Sequence, residues 1–439
     1  MKTHYIRDGH LLPERRRCER LPKELEPIAG LVNGLAIVAV FWLLALVAVA
    51  VAVRAEEGKS PARVAPGHLW GTLEPGAILG DTTHYLFDRE PDCVAPNNFP
   101  MWFDLDIEGG YMWTVTGSAL EGWDLATPNR PTLISKLCKP TLTVWRKADY
   151  DWYLVTVEAI GDRVVVGSQW GMGLLVFDVS QPRSPRLIYQ YEGVCQGCLS
   201  IKDVHVTTIG NKRYAFAAAD DLVLYAFALD GDPYFVGKVS GGAQSMSLQS
   251  VWKIAGAGAL LAVRWGGMTQ IWDAADINRP TLIAGTGPNP LDIVAWQQAQ
   301  SFPLVFATAH GSEVRLHSLV DGKIFTLERL STPGSMIDTL SVSKDGGRVY
   351  LYAGTTRVDG REWLWDVTDP SSPIEFGSAA YWEHYDDYRN TASYAGQVAG
   401  GRLYRAAWSL LDVHQLTSQP EPEPEPEVIT WCDFEVVQP

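Results

Sequence analysis

The chain has 439 residues, 46% apolar and 20% charged, a balance that argues against a wholly disordered protein. Its 36 Lys and Arg stand against 51 Asp and Glu, and the net charge of −15 argues against general binding to DNA or RNA phosphates. With 40 Gly, 27 Pro and 17 Trp, it reads as a turn-rich β protein rather than a helical one.

Residues 1–30 form a short N-terminal stub with seven positive and five negative side chains, net +2, so the remainder carries −17. Residues 31–53 (LVNGLAIVAVFWLLALVAVAVAV) contain no charge. As a helix this run reaches about 34 Å, enough to cross a hydrocarbon core of about 30 Å. Lys2, Arg7, Arg15, Arg16, Arg17, Arg20 and Lys23 precede it, and only Arg54, Lys59 and Arg63 follow closely. The positive-inside rule places the N-terminus in the cytoplasm and everything after 53 in the periplasm or outside the cell. A cleaved signal peptide ending at Ala55 is the alternative, but the long leader and long apolar run favour an uncleaved signal anchor. Residues 54–98 read as a tether and lead-in, with 56–75 rich in Pro, Gly and charge.

From residue 99 onward the chain repeats. Segments 122–133 (GWDLATPNRPTL), 176–187 (VFDVSQPRSPRL), 271–282 (IWDAADINRPTL) and 364–374 (LWDVTDPSSPI) share an aromatic, an Asp and an apolar residue. A Pro follows the Asp at four residues (Ile277 in the third segment) and another at seven. Weaker copies place Ala228, His317 and Asp412 at the aspartate position, giving seven units of about 48 residues. Each unit has room for four short strands separated by Gly, Asn, Asp and Pro. The expected fold class is therefore all-β: a seven-bladed β-propeller over 99–439, preceded by one transmembrane helix. The repeated Asp, at a strand end before a turn, is expected to accept turn N–H groups rather than to catalyse. Trp123, Trp272 and Trp365 occupy the position of Phe177 and are expected in the core.

The segments 174–182 (LLVFDVSQP) and 363–370 (WLWDVTDP) resemble the LVIVD repeat of exported bacterial and archaeal β-propellers. The resemblance covers most of residues 99–414 and implies a cell-surface or periplasmic propeller. The sequence departs from the pattern at Ala228, Ile277 and His317, so irregular blades are expected there. The Trp-Asp pairs also resemble WD40 blades, but without the Gly-His that should precede them.

Loops between the second and third strands of a blade should share one face. Trp170, Asp220, Trp265, His310 and Arg357 fall there, and their diversity suggests a surface for a protein, glycan or ion. A second series, Asp151, Asp203, Asp292 and Asp338, begins the innermost strands and could ring the channel mouth, where it would attract Ca²⁺ or another divalent cation. Asp at such a junction also serves turns alone. No cofactor is otherwise predicted, because no zinc-hydrolase, serine-hydrolase or P-loop motif occurs.

Cys93, Cys138, Cys195, Cys198 and Cys432 lie on the exported side, where disulfides persist; Cys18 does not. A Cys93–Cys432 bond is expected to clamp the ends of the ring, since residues 428–437 read as the outer strand of the seventh blade. One further bond would then form among Cys138, Cys195 and Cys198. The Pro-Glu tract 419–427 reads as an insertion before that strand. The expected function is a membrane-anchored binding or scaffolding module. The alternative is a hydrolase or lactonase-like propeller with a metal at the channel mouth.

Overall fold

Strand alternation is most legible where two apolar faces are both buried. In Arg163–Gln169 every residue between the two ends is buried, because the strand lies mid-sheet with another sheet on each side. The computed structural model describes residues 71–81 and 102–418, apart from 118, 129, 139–152, 170–171, 194–198, 220–222, 240–250, 266–267, 287–289, 299–302, 334–335, 356–361, 380–392 and 408–409. The expected span 31–53 lies outside them. Among the described residues no helix is long and apolar enough to cross a membrane.

Among the described residues twenty-eight strands form seven four-stranded antiparallel sheets. After β1 (Gly71–Asp81), the first blade holds β2 (Trp102–Glu108), β3 (Tyr111–Thr116), β4 (Ala119–Asp124) and β5 (Thr132–Cys138). The second holds β6 (Tyr153–Ile160), β7 (Arg163–Gln169), β8 (Leu174–Asp178) and β9 (Arg186–Tyr191). The third holds β10 (Ile201–Ile209), β11 (Lys212–Ala219), β12 (Leu224–Ala228) and β13 (Tyr234–Val239). The fourth holds β14 (Val251–Ala257), β15 (Leu260–Trp265), β16 (Met268–Asp273) and β17 (Thr281–Thr286). The fifth holds β18 (Ile293–Trp296), β19 (Leu304–Ala309), β20 (Glu313–Val320) and β21 (Lys323–Ser331). The sixth holds β22 (Thr339–Asp345), β23 (Arg348–Gly354), β24 (Glu362–Asp366) and β25 (Ile374–Ala379). The last run is β26 (Ser393–Ala399), β27 (Arg402–Ala407) and β28 (Leu410–Ser418).

The first strand of each sheet touches the first strand of the next, and β26 touches β2, so the ring is closed. The apolar core lies between neighbouring sheets. One cluster joins Trp102, Met112 and Trp123 of the first blade to Tyr404, Leu411 and Val413 of the seventh. This is the seven-bladed propeller expected from the repeat.

Closure is made differently from the expectation. The fourth strand of the seventh sheet is β1, drawn from the stretch expected to be tether, and not residues 428–437. It pairs with β28 from Gly71 opposite Ser418 to Asp81 opposite Leu410, with two register irregularities on the way. The physical gain is a backbone ladder joining the beginning and end of the ring, which covers the edge β28 would otherwise expose. Residues 419–437 lie outside the described residues.

The repeated aspartate is a turn residue. Asp124, Asp178, Asp273 and Asp366 each accept through Oδ1 the amide two residues ahead, at 2.9, 3.0, 2.8 and 2.9 Å. Arg186 and the Ser180 amide beside Asp178 hold its carboxyl well below the usual range. The aromatic before each aspartate is buried: Trp123, Phe177, Trp272 and Trp365 are all at most 6% exposed. Each lies at a register shift against the outer strand, a bulge repeated from blade to blade.

Two of the weaker copies break this rule. The residue after the aspartate donates its amide back to the start of the second strand, as Val179 does to Asp162 O at 2.9 Å. In the seventh blade that bond runs from Leu416 to Gly401, so Gln415 holds the repeat position and Asp412 lies three residues earlier, 4% exposed. In the fifth blade β20 and β21 are joined directly through Asp321 and Gly322, with φ of 50° and 70°, so no proline turn forms. Ala228 keeps the backbone bond, from Leu229 to Arg213 O at 3.0 Å, and the Asp230 carboxylate accepts from the Arg213 amide at 2.8 Å, as Thr368 Oγ1 does from Val349 in the sixth blade.

Candidate functional site

The innermost strand of each blade has one backbone edge without a strand partner. Its N–H groups need acceptors that water in a narrow channel supplies poorly. The preceding blade provides them. Asp104 and Asp106 of β2 accept from the amides of Val157 and Ala159 on β6, at 2.9 and 2.7 Å. Glu158 accepts from Val206 at 2.5 Å, and Ser343 from Val398 at 2.9 Å. The circle closes where Gln397 on β26 accepts from Ile107 at 3.0 Å and donates to Asp106 Oδ1 at 2.6 Å.

These strands surround a cavity of about 680 Å³. Its wall is uneven. Blades one to three contribute Asp104, Asp106, Glu108, Glu158, Asp203 and His205. Blades four to six contribute mostly small and apolar groups such as Ala255, Ile293, Ala295 and Val342, with Lys344 the one lysine or arginine among the described lining residues. Lys344 Nζ donates to Gln297 O at 2.6 Å. Tyr394 joins the wall beside the acidic side, and Phe103 stands between it and Tyr153, with ring centroids 5.6 and 6.2 Å away. Burial, with Asp338 nearby, pushes the Tyr394 hydroxyl up to about 12. Burial and then the charge of Glu158 raise Asp106 to about 7, against the three hydrogen bonds that favour its ionised form. His205 Nδ1 lies 3.3 Å from Glu158 Oε2.

The residues expected to form a site are distributed as follows. Asp203 lines the cavity, but its carboxylate accepts from Thr156 Oγ1 at 3.3 Å and the Ile254 amide at 2.8 Å. Asp292 is fully buried and accepts from Ile293 and Leu340 amides at 2.8 and 2.7 Å, so it tethers blade five to blade six behind the channel wall. Asp338 is half-buried just before β22, and Asp151 lies outside the described residues. Among the described residues no group of three or more His, Cys, Asp or Glu could hold a metal ion. On the loop face, His310 is half-buried with Nε2 2.9 Å from Thr308 Oγ1. Trp265 ends β15, and Trp170, Asp220 and Arg357 lie outside the described residues. Cys138 ends β5 and is disulfide-bonded; Cys93, Cys195, Cys198 and Cys432 are outside the described residues.

Two buried polar clusters had no motif to announce them. His317 shares Thr308 with His310, its Nε2 also 2.9 Å from Oγ1, and it stacks on Phe306 with centroids 4.8 Å apart. Burial, then His310, Arg315 and Arg329, push it down to about 4. Between blades six and seven, Arg405 is wholly buried and pairs with Glu362 and, through Nη2 at 2.5 Å, with Asp412. His414 lies 3.1 Å from Asp412, and burial pushes it down to about 4.

No family model matches the sequence, and no curated protein matches it. Among solved structures 1091 chains match the fold, so the architecture alone singles out no activity. One is a chain from the "Crystal Structure of Mitotic Checkpoint Complex", 13% identical, with a TM-score of 0.52. The match covers 79% of this chain and 95% of that one. At that identity the likeness establishes the propeller and nothing finer.

Proposed function

We propose that the protein is an exported, membrane-anchored propeller of the LVIVD type, acting as a binding or scaffolding module whose channel receives a positively charged organic group. The observation that carries this is the one-sided wall of the 680 Å³ cavity, acidic on blades one to three and mostly apolar opposite. A ligand with an ammonium or guanidinium head and an apolar stem matches both walls, and Tyr394 adds an aromatic ring to the same lining. The uncharged run 31–53 and the basic segment before it support the anchor and the export of the propeller.

The test is calorimetry on the full chain in detergent with spermidine, Ca²⁺ and a neutral oligosaccharide. Saturable spermidine binding that weakens at least tenfold between 50 and 500 mM salt supports the reading. Binding of the oligosaccharide without spermidine overturns it. Carbonate-resistant membrane association, with the propeller accessible to protease from the exported side, tests the topology. Release by carbonate would overturn the anchor.

A further inference from the structure

The ring closes between blades seven and one, and a bonded cysteine faces that seam. Cys138 ends β5, is 8% exposed and is disulfide-bonded. It stands opposite Ala119, in step with Lys136 opposite Glu121. Alternate residues of a strand share a face. Lys136 Nζ lies 3.5 Å from Glu121 Oε1, and Glu121 Oε2 accepts from Trp102 Nε1 at 3.2 Å. Trp102 belongs to the core between blades one and seven. Leu137, between Lys136 and Cys138, packs instead on the core between blades one and two. Cys138 therefore faces blade seven and points away from blade two.

Residues 82–101 carry the chain across this seam. They leave β1 at Asp81, opposite Leu410, and enter β2 at Trp102, opposite Thr116. Cys93 lies on that crossing, nine residues before Trp102. Three strand spacings, about 14 Å, separate β2 from β5. Nine residues reach about 30 Å, so Cys93 can come within the Cα separation of about 4–7 Å that a disulfide requires. The other cysteines are placed less well. A Cβ on Gly193 would meet Leu199 Cβ at 3.1 Å, and Leu199 packs in the core between blades two and three. The chain that carries Cys195 and Cys198 is thus anchored there at both ends, and blades one and two separate it from the face that Cys138 presents. Cys432 follows Ser418, which stands opposite Gly71 at the far end of β28. To reach Cys138 it would have to run back the length of β28 and over β1, starting with the four prolines of 419–427. Cys18 precedes the run 31–53 proposed to span the membrane.

We infer that Cys93 is the partner of Cys138, and that their bond staples the ring-closing crossing to the outer strand of blade one. It takes the place of the Cys93–Cys432 clamp expected from the sequence. The crossing is then fixed on both sides of the seam, to blade seven by the ladder between β1 and β28 and to blade one by a covalent bond. Closing residues 93–138 as one loop favours the folded ring on the order of several hundredfold in the chain-entropy model.

Peptide mapping of the full chain, purified in detergent without reductant and alkylated before digestion, tests the pairing. The expected result is a cross-linked pair of peptides carrying Cys93 and Cys138 that separates on reduction. Cys138 recovered with Cys195, Cys198 or Cys432, or as an alkylated thiol, overturns the proposal. Thermal melts test the staple. Cys93→Ser and Cys138→Ser should each lower the melting temperature by several degrees. The double variant should lose no more than the larger single loss, because all three remove the same bond. Losses that add in the double variant overturn the proposal. The peptide map answers even where a variant fails to fold.

Discussion

At the scale of single residues, the most consequential side chain outside the channel is Arg405. It is completely buried, and its charge is matched by Glu362 from the sixth blade and Asp412 from its own. Burial pushes Glu362 above its usual range even with the arginine beside it. Such a set adds little over an apolar core of the same volume, but breaking one member leaves charges stranded. Arg405→Met should therefore destabilise by about 3–5 kcal/mol at neutral pH. The deficit should shrink in acid, where protonation of Glu362, raised by burial, removes one of the two unpaired charges. Urea unfolding at pH 7 and pH 5 measures both. None of this was legible beforehand. The residues are 43 and 7 apart in sequence and share no motif, so only the register of β24, β27 and β28 brings them together. Reading Asp412 as a turn residue failed for the same reason: one apolar-Asp-apolar triplet looks the same at a strand end and three residues before it.

At the scale of elements, the proline turn was legible because its chemistry is local. An Asp that accepts the amide two residues ahead announces itself in a short string, and four copies at one spacing fixed the blade edge. The fifth blade shows what happens without it. There Asp321 and Gly322 make a tight hairpin, and Gly322 sits at φ 70°, where a Cβ is strained by the backbone. Space is not the obstacle, since an added Cβ would meet only Ile283 Cγ2 at 3.7 Å. Gly322→Ala should thus cost about 1 kcal/mol, or a degree or two of melting temperature, with no change in the strand order. Substituting Ala for Gly231 tests the contrast in the third blade, where φ is 67° and nothing lies within 4 Å. Equal costs at the two glycines would show that the backbone alone sets the penalty. The channel carboxylates were only half legible. Asp203 and Asp292 stood out as strand-opening residues, but their use as acceptors for the next blade's amides depends on a neighbour about 50 residues away. The acidic wall itself came from Asp104, Asp106, Glu108 and Glu158, which alternate along β2 and β6 as strand residues facing one side.

At the scale of the whole molecule, seven units and one ring were readable from spacing, because a propeller repeats its turns at every blade. What spacing could not say is which end of the chain supplies the last strand. Both candidates flank the ring, and both contain enough β-branched and apolar residues to pair. The structure assigns the place to β1, and this has a mechanical consequence. Each other blade is held by hairpins within its own stretch of chain, whereas the seventh takes its outer strand from the start of the ring through the ladder between β1 and β28. Removing residues 71–81 would leave β28 as an open edge and the first and seventh blades joined by side chains alone, through Gln397 and the Trp102–Tyr404 core. A full chain lacking only 71–81 should unfold at a markedly lower temperature and associate with itself in a concentration-dependent way, as the edge recruits a strand from another copy. Supplying 71–81 as a free peptide should restore both properties, because the ladder is formed by backbone groups. Light scattering and thermal melts with and without the peptide read the outcome. A deletion variant that remains monomeric and melts with the parent would show that the side-chain seam, and not the strand, closes the ring.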